Sequence, residues 1–388
     1  MQGFEFNTVS KIISGFGSAL ELAEQLAHLG VGKPLLVTDP GLMAIGLVQP
    51  VMAALSEAGR EPVLFDQVRE DPPEATVLAA AELGRINEVD GVIAVGGGSS
   101  MDVAKVVSVL LAGKQALSEL YGVGQVAGGR LPLLLVPTTA GTGSEVTPVA
   151  VVTTGETTKA GVSSVVLLPD VAVLDAQLTL GLPPAVTAMT GVDAMVHAIE
   201  AYTSRHQKNP ISDNLARQAL VLLSANIRTA VSDGSNREAR EAMLMGACMA
   251  GQAFANAPVA AVHALAYPLG GHYHIPHGLS NSLVLPAVMD FNLPEAAAEY
   301  AELAQLVVAD LAVGSDESCA SALISALREL IDDLALPATL AQAGVAESDL
   351  EMLAEDAMLQ QRLLVNNPRD VNYDDALGIY RAAYGEQA

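Results

Sequence analysis

The stretch Gly91-Val-Ile-Ala-Val-Gly-Gly-Gly-Ser-Ser-Met-Asp-Val-Ala-Lys105 decides the fold class. Residues 91–95 form an apolar run that is typical of a buried strand, three glycines follow, and a helical pattern begins at Met101. The same alternation of strands with helices recurs up to about residue 180. It predicts a parallel sheet whose ligands bind at the carboxyl ends of the strands.

The three glycines predict a phosphate site. They let the backbone come close to a phosphate, and the free N–H groups at the start of the helix favour its negative charge. The pattern is neither the GxGxxG fingerprint nor a Walker A loop. A plain strand-to-helix turn is the alternative, and the two serines that follow the glycines, Ser99 and Ser100, favour the phosphate site as additional donors.

A second polar turn, Thr138-Thr-Ala-Gly-Thr-Gly-Ser144, follows the predicted buried strand 131–137. Two such turns at neighbouring strand ends could hold both ends of a pyrophosphate. Asp39 ends an earlier predicted strand, residues 34–39. There it is placed to accept hydrogen bonds from a ribose diol, and its charge would repel a 2′-phosphate. An ordinary loop aspartate is the alternative.

The character of the chain changes after the sequence Leu182-Pro-Pro184. From there on, the patterning predicts helices alone, over residues 186–203, 211–232, 237–256, 259–266, 294–313, 319–334, 348–358 and 373–384. A chain of 388 residues exceeds the size at which one core stops growing. We therefore predict an α/β, Rossmann-like nucleotide-binding domain over residues 1–182 and an all-helical, metal-binding domain over residues 183–388.

The charge balance excludes some classes of partner. The chain has 19 Lys plus Arg against 44 Asp plus Glu, a net charge of −25, which repels nucleic acids and anionic membranes. Residues 242–289 carry no charged side chain, but this run contains Gln252, Asn256 and Pro258. Insertion into lipid would be costly for these residues, so the run predicts buried helices of a large core.

Cysteine usage and the N-terminus indicate a cytoplasmic protein. Cys248 and Cys319 are too few for a disulfide framework, which fits a reducing compartment. The N-terminus shows no basic region followed by an apolar run, the pattern of a signal peptide.

The stretch Gly191-Val-Asp-Ala-Met-Val-His-Ala-Ile-Glu200 places Asp193 and His197 one turn apart on one helix face. Residues 262–281 add the imidazoles of His263, His272, His274 and His277. One carboxylate with two or three imidazoles is the ligand set of iron, zinc, manganese or nickel, with a position left for substrate. Satisfied core histidines are the alternative, but so many ligand-type side chains around one uncharged stretch favour a metal.

A metal beside a dinucleotide site predicts the interconversion of an alcohol and an aldehyde. The metal acts as a Lewis acid on the substrate oxygen while hydride moves between the substrate carbon and the nicotinamide ring. We therefore expect a small alcohol or aldehyde as the substrate.

Four motifs of this chain resemble the iron-containing (group III) alcohol dehydrogenase family. They begin at Gly96, Pro137, Gly191 and Pro276, and the likeness extends to the stretch 363–369 near the C-terminus. The resemblance implies an N-terminal nucleotide-binding α/β domain, a C-terminal helical domain and a cleft between them. It also implies a homodimer or a larger homo-oligomer.

The resemblance implies a role for individual residues by motif. Its metal ligands, for Fe²⁺ or for Zn²⁺ or another divalent ion, fall on Asp193, His197, His263 and His277. For NAD(H), the pyrophosphate site falls on Gly97, Gly98, Ser99 and Asp102, and the nicotinamide side on Thr138, Thr139, Thr142 and Ser144. Asp39 is implied to select the ribose, and Lys159 to lie near the cofactor.

One position departs from the family pattern. Many members carry a histidine four residues after the third ligand, often given a proton-relay or substrate-orienting role, where this chain has Tyr267. A tyrosine still donates a hydrogen bond, but its pKa of about 10 makes it a poor shuttle at neutral pH. The candidate catalytic residues are therefore Tyr267 and His274, with His272 as another imidazole that could take over the relay; both imidazoles could equally be structural or lie at the rim.

The predicted activity is that of a metal-dependent NAD(H) alcohol dehydrogenase or aldehyde reductase. The first alternative is a hydroxyacid–oxoacid transhydrogenase or a maleylacetate reductase, which would need a cation near the site for its acid substrate. A lyase like dehydroquinate synthase is more remote, since it would need several basic residues for a phosphate. A non-catalytic nucleotide-binding protein would have lost ligands or the glycine turn, and all of these are present.

Overall fold

The computed structural model describes residues 3–155 and 158–385. Its strands are β1 (Lys11–Ser14), β2 (Pro34–Val37), β3 (Val63–Phe65), β4 (Gly91–Gly96), β5 (Gly122–Val123), β6 (Leu133–Pro137), β7 (Val149–Thr154), β8 (Thr158–Ser163) and β9 (Val171–Leu174). Its α-helices are α1 (Leu22–His28), α2 (Pro40–Ala44), α3 (Gln49–Glu57), α4 (Glu74–Ile86), α5 (Gly98–Ala112), α6 (Pro184–Thr203), α7 (Pro210–Ser232), α8 (Arg237–Asn256), α9 (Ala261–Tyr273), α10 (His277–Val307), α11 (Asp316–Asp333), α12 (Leu350–Ala357), α13 (Gln361–Leu364) and α14 (Tyr373–Tyr384). Short 3₁₀ turns lie at Ser18–Glu21, Leu117–Glu119, Ser144–Val146, Val165–Leu167, Ala176–Thr179 and Glu347–Asp349.

The chain divides into two compact units. The α/β unit comprises Asn7–Gly181, and the helical unit comprises the chain from Leu182 onward together with the N-terminal segment that ends at Phe6. The sequence-based division between residues 182 and 183 lies one residue away from this one. The grouping of the N-terminal segment with the helical unit has no signal in the local sequence pattern.

The α/β unit is built on a six-stranded sheet in the order β1-β9-β6-β4-β2-β3, with every neighbouring pair parallel. Successive strand residues point to opposite faces, so the apolar runs of the central strands supply two cores. Leu35, Val92 and Leu133 pack with α4 and α5 on one face, whereas residues such as Leu36 and Ile93 pack with α1 and α3 on the other. The predicted α/β class with a parallel sheet is confirmed.

A second, three-stranded sheet was not predicted from the sequence. Its order is β5-β8-β7, and β7 pairs with β8 in the antiparallel sense. The expectation of strands and helices alternating up to residue 180 is therefore wrong in this region, and it also missed β1 and β9. β1 and β9 have four residues each and β5 has two, which is too short for local periodicity to reveal. β7 is longer, but most of its side chains are only half-buried, so its apolar alternation is weak.

The helical unit confirms the second half of the predicted fold class, but two of its helices have other limits than expected. We predicted a helix over 259–266 and another over 294–313. Proline disfavours a helix interior, and Pro268, Pro286 and Pro294 lie in or next to this region. The structure continues α9 through Pro268 and α10 through the other two prolines. Both helices are largely buried, and this tertiary packing offsets the cost of roughly 3 kcal/mol for a helix-interior proline.

Within residues 3–155 and 158–385, none of the helices is both long enough and apolar enough to span a bilayer. The uncharged run 242–289 is instead shared among α8, α9 and the start of α10. Most of its apolar residues lie in the core, as predicted.

Candidate functional site

The four predicted metal ligands lie together in the helical unit. Asp193 and His197 come from α6, His263 from α9, and His277 is the first residue of α10. One ligand atom from each lies within 4.8 Å of the others. The Asp193 Oδ1 atom is 4.0 Å from His197 Nε2 and 3.7 Å from His277 Nε2. Donor atoms around one ion, with bonds of about 2.1 Å, lie about 3–4 Å apart, so the four side chains fit one divalent metal.

Glu200 fixes the orientation of His263. Its Oε2 atom lies 2.6 Å from His263 Nδ1, and its Oε1 atom accepts a hydrogen bond of 2.7 Å from the Val262 N–H group. A carboxylate on Nδ1 places the proton there and leaves Nε2 with a free lone pair. His263 Nε2 is therefore presented as a ligand, since the same atom faces the other members of the cluster.

Asn281 lies one turn after His277 on α10 and contacts three of the four ligands. Its amide Nδ2 donates to Asp193 Oδ1 at 2.6 Å and lies 3.3 Å from His263 Nε2 and 3.4 Å from His277 Nε2. Its Oδ1 atom is buried and has no hydrogen-bond partner among the described residues. A carboxylate oxygen and two imidazole nitrogens thus converge on one point, which is the arrangement that a divalent cation requires.

The close approach of α10 to α6 depends on Gly278. A Cβ atom at this position would lie 2.3 Å from the Met189 carbonyl oxygen and 3.3 Å from Asp193 Cβ. A side chain would therefore push the start of α10, and with it His277, away from Asp193. On the other side of the cluster, His197 stacks on Phe254 with the ring centroids 4.3 Å apart.

The electrostatics favour the ligand form of Asp193. Burial acts to raise the pKa of its carboxyl group, but the positive charge of the three imidazoles when they are protonated, together with the Asn281 amide, outweighs burial, so the pKa is lowered. Asp193 is therefore an anion at neutral pH, as coordination requires.

Tyr267, at the position that departs from the family pattern, lies next to the cluster. Its ring centroid is 6.0 Å from that of His277. Burial raises the pKa of its hydroxyl, and the charges of Asp193 and Glu200 act in the same direction, although the charge and hydrogen bond of Arg362 oppose them. The hydroxyl is therefore protonated at neutral pH and available as a donor.

The structure does not bring the other two candidate imidazoles into the cluster. His274 ends α9 with a left-handed backbone (φ 54°), and it is exposed. His272 is exposed as well, and its Nε2 atom pairs with Asp356 Oδ2. A catalytic role for His274 stays a prediction without a contact that supports it.

The two glycine-containing turns of the α/β unit are neighbours. β4 pairs with β6 so that Gly96 lies beside Pro137, and each turn follows one of these strands. A Cβ atom at Gly98 would lie 2.9 Å from Thr142 Cγ2, and one at Gly97 would lie 3.7 Å from Thr139 Cγ2. These four residues and Ser99 are half-buried, whereas Thr138 is buried at the end of β6. The half-buried set is thus placed to line a ligand at the strand ends.

Asp39 lies at the same edge of the sheet. It precedes α2, and its Oδ1 atom accepts a hydrogen bond from the Leu42 N–H group at 3.0 Å. Its Oδ2 atom is 3.9 Å from the position of a Cβ atom at Gly96. One carboxylate oxygen therefore caps the helix while the other is directed toward the first glycine turn.

Asp102 and Ser144 are bound to protein partners. Ser144 Oγ donates to Asp102 Oδ1 at 2.7 Å, and the Val151 N–H group donates to Asp102 Oδ2 at 2.9 Å. The buried Lys105 Nζ atom donates to Ser144 Oγ at 2.8 Å and to the Val149 carbonyl at 2.7 Å. These bonds fasten α5 to the turn after β6, so the two residues support the turn; direct contact with a cofactor stays a prediction.

Lys159 lies on β8 in the second sheet. Its Nζ atom pairs with Asp71 Oδ1 at 2.7 Å. Its predicted place near the cofactor therefore stays a prediction.

Comparison with known proteins identifies the family. Residues 9–176 match the family model described as iron-containing alcohol dehydrogenase, and residues 187–384 match the one described as Fe-containing alcohol dehydrogenase family, C-terminal. The chain belongs to this family. The resemblance that the sequence motifs indicated is thus confirmed, and so is the predicted enzyme class, an oxidoreductase.

Individual relatives carry the names of different substrates. A long-chain-alcohol dehydrogenase 1 of Geobacillus thermodenitrificans is 40% identical over 373 residues, which are 95% of this chain and 94% of the relative. A crystal structure of 1,3-propanediol oxidoreductase has a TM-score of 0.96 and 36% identity, covering 99% of this chain and 100% of that one. The sulfoacetaldehyde reductase of Bifidobacterium kashiwanohense, in complex with NAD⁺, has a TM-score of 0.90 and 28% identity, covering 100% of both chains. Membership of the iron-containing alcohol dehydrogenases therefore leaves the substrate open.

Four polar residues of this family member were not predicted from the sequence: Lys105, Glu200, Asn281 and Arg362. Glu200 follows His197 by three positions, and Asn281 follows His277 by four, so the spacing that found the ligands could have found both. Lys105 follows Asp102 by three in the same way. Arg362 has no such signal, because its contact with Tyr267 joins distant parts of the chain.

Glu145 and Lys105 form a buried charge cluster beneath the second turn. Burial raises the pKa of Glu145 to about 7, although Lys105 acts to lower it. Burial lowers the pKa of Lys105 to about 8, although Asp102 and Glu145 act to raise it. Both groups have lost water contacts that their charged forms need.

The substitution Glu145→Gln tests this cluster. Because the pKa of Glu145 is about 7 in the folded protein against 4.5 ordinarily, the folded state keeps a proton that the unfolded chain has lost. Raising the pH from 4.5 to about 7 therefore lowers the free energy of unfolding, by up to roughly 3 kcal/mol from this group. Lys105 titrates above this window. We expect the Tm of the wild type, measured by scanning fluorimetry, to fall relative to that of Glu145→Gln across the window.

The control is Glu57→Gln, which removes an exposed carboxylate from α3. Its Tm should keep a constant offset from the wild type over the same pH range. A constant offset for Glu145→Gln as well would show that Glu145 is not held as a neutral acid.

Proposed function

We propose that this chain is a cytoplasmic, metal-dependent NAD(H) alcohol dehydrogenase or aldehyde reductase that works as a homodimer or larger homo-oligomer. The observation that carries the proposal is the convergence of Asp193, His197, His263 and His277 in a chain of the iron-containing family. The paired glycine turns of the α/β unit support a dinucleotide as the second component.

The cluster fits a resident Fe²⁺ ion, with Zn²⁺ or another divalent metal as the alternative. Asp193 supplies an anionic oxygen, and the three histidines supply nitrogens. Such an ion supplies Lewis acidity toward the oxygen of the reacting alcohol or aldehyde. Glu200 and Asn281 hold the ligands in place from outside the set.

Tyr267 is proposed to orient the substrate oxygen. A guanidinium has only donors, so in the contact with Arg362 the tyrosine oxygen is the acceptor. The phenolic hydrogen then remains available for donation to the substrate. Since burial raises the pKa of this hydroxyl, Tyr267 acts as a fixed donor and does not relay protons at neutral pH. The exposed position of His274 favours a place at the rim for that residue.

The cofactor is proposed to bind along the strand ends of the α/β unit. The backbone at Gly97 and Gly98, at the start of α5, with Ser99 would hold the pyrophosphate through N–H groups and the helix dipole. Thr139 and Thr142, which are half-buried, would line the nicotinamide side. The NAD⁺ complex of the sulfoacetaldehyde reductase supports NAD(H) as the cofactor.

The activity is tested on anaerobically purified protein. Metal content is measured first. We then follow the NADH-dependent reduction of a panel of aldehydes and 2-oxoacids. The panel is measured on the protein as purified, after removal of metal with a chelator, and after addition of Fe²⁺, Zn²⁺ or Mn²⁺. We expect aldehydes to turn over, and activity to return with one of these metals. Turnover of oxoacids alone would favour a transhydrogenase or maleylacetate reductase. Binding of NADH without turnover of any carbonyl compound would favour a non-catalytic nucleotide-binding protein.

The substitution Glu200→Gln tests the metal centre through the contact with His263. We expect the affinity for Fe²⁺ to fall by about 10–100-fold, because the variant loses the charge that holds the His263 tautomer. Competition with a chromogenic chelator measures the affinity, and NADH fluorescence checks that cofactor binding is kept. His277→Ala removes a metal ligand and shows how far the Fe²⁺ affinity falls when a ligand is lost. The control Glu241→Gln removes an exposed carboxylate from α8 and should bind metal like the wild type. An unchanged Fe²⁺ affinity in Glu200→Gln would refute the role of this carboxylate.

The substitution Asp39→Asn tests the choice of dinucleotide. The amide keeps an oxygen that can cap α2 at the Leu42 N–H group, but it removes the charge that would repel a 2′-phosphate. We expect the ratio of kcat/KM for NADPH to that for NADH to rise by about 5–10-fold. Asp90→Asn, which removes a carboxylate just before the opposite end of β4, is the control. An equal ratio in the wild type and Asp39→Asn would mean that Asp39 does not read the ribose.

A further inference from the structure

The feature that the proposed function leaves unused is Arg362, the second residue of α13. Its helix is tied to the segment before α9 by the buried Asn366, whose Nδ2 atom donates to the Arg362 carbonyl at 3.1 Å and to the Val259 carbonyl at 3.0 Å. From this anchored backbone, the side chain reaches the hydroxyl of Tyr267. The ring of Tyr267 in turn lies 6.0 Å from that of His277. Arg362 therefore interacts with a residue, Tyr267, that itself lies beside the metal ligand His277.

Arg362 differs in its electrostatic setting from several arginines on the surface of the helical unit. The chain has a net charge of −25, and several exposed or half-exposed arginines of the helical unit lie within reach of a carboxylate: Arg205 with Asp370, Arg217 with Glu302, Arg228 with Asp333 and Arg328 with Asp290. Within residues 3–155 and 158–385, no carboxylate forms an ion pair with Arg362 within 4.0 Å. Arg362 is exposed, so its remaining donors face solvent. An arginine with free donors next to a substrate site is suited to an external anion, because its planar fork binds oxyanions in bidentate fashion.

We propose that Arg362 binds an anionic group of the substrate, so that the preferred substrate is a short aldehyde or alcohol bearing a carboxylate or a sulfonate. The inference rests on the proposed alcohol dehydrogenase activity and names its substrate class. Tyr267 positions the guanidinium by accepting one of its hydrogen bonds, and it keeps its own hydrogen for the reacting oxygen. The reaction is unchanged: hydride passes between nicotinamide and the aldehyde carbon, and a proton balances the charge on oxygen.

The proposal gives the tyrosine at position 267 a physical reason. A phenolic oxygen accepts from Arg362 and still donates, so one side chain can position the guanidinium for the anionic end of the substrate and also donate to the reacting oxygen. An imidazole at the same place would accept from the guanidinium only while neutral and would repel it once protonated, whereas the phenol stays neutral and keeps its acceptor at neutral pH. The departure from the family pattern and the arginine therefore belong to one arrangement.

The test compares matched pairs of aldehydes with the metal-loaded enzyme. Succinate semialdehyde is paired with butyraldehyde, and sulfoacetaldehyde with propionaldehyde, so the carboxylate and the sulfonate are assessed separately. In the wild type, we expect kcat/KM to be at least about 10-fold higher for the anionic member of one pair. Arg362→Gln should lower kcat/KM for that member by about 10–100-fold, mostly through KM, and change the neutral member by less than about 3-fold. Arg362→Lys keeps the positive charge but loses the planar guanidinium that binds an oxyanion through two hydrogen bonds. Its kcat/KM for the anionic member should lie between those of the wild type and Arg362→Gln.

Two further measurements separate the explanations. Arg381→Gln removes one exposed positive charge from α14 and should leave all four substrates unaffected, which controls for the net charge of the protein. Stabilisation by succinate or ethanesulfonate, read as a shift of Tm, should occur in the wild type and be lost in Arg362→Gln. This readout does not require turnover.

The possible failures are distinguishable. Equal loss for neutral and anionic aldehydes in Arg362→Gln would show a structural role and overturn the anion site, while the alcohol dehydrogenase activity would stand. The same conclusion follows if the wild type shows no preference within either pair and no Tm shift with the two anions. Failure of all four aldehydes, with metal and NADH bound, would overturn the proposed function and the substrate class with it.

Discussion

The metal-ligand cluster depends on the contact between two helix backbones at Gly278. The missing side chain at this residue lets α10 begin directly against the Met189 carbonyl of α6. That contact brings a ligand at a helix start, His277, to a pair of ligands in a helix middle, Asp193 and His197. Any side chain would require a backbone shift, because the nearest obstacle is a carbonyl group and not a flexible side-chain end. The ligand geometry is thus set by helix packing, and the imidazoles have only to adopt suitable rotamers.

Helix packing alone would leave buried polar atoms without partners, which is costly. Glu200 gives a partner to His263 Nδ1 and Asn281 gives one to Asp193 Oδ1, both from helices that carry ligands. Each sits one turn from a ligand, so a single helix supplies both the ligand and a group that holds another ligand. This arrangement makes the three helices depend on one another: Glu200 of α6 orients His263 of α9, and Asn281 of α10 binds Asp193 of α6. Rotation of one helix would disturb ligands on its neighbours.

What the sequence could predict follows from the range of the interactions. Two features are local patterns: the spacing of Asp193 and His197 on one helix, and the strand that runs into Gly96. The secondary structure of both was predicted correctly. The extent of α10 was not predicted. The cost of Pro286 and Pro294 can be seen in the local sequence, whereas the tertiary packing that offsets this cost involves residues distant in sequence. The antiparallel pair β7 and β8 was missed for a different reason: the side chains of β7 are mostly half-buried, so its apolar alternation is weak.

The position of Arg362 shows the same limit at the level of function. The sequence allows an acid substrate as an alternative, but it places no cation near the site to support one. The net charge of a chain does not tell where a single guanidinium lies. The fold places that guanidinium beside Tyr267 through α13, and Asn366 anchors the helix by its backbone carbonyls. In a protein with 44 acidic side chains, a local positive charge persists only where the surrounding carboxylates are kept at a distance. The interaction of a cation with an anion weakens with distance and with exposure to solvent. The position of Arg362 therefore matters more than the net charge of the protein for the binding of an anionic substrate.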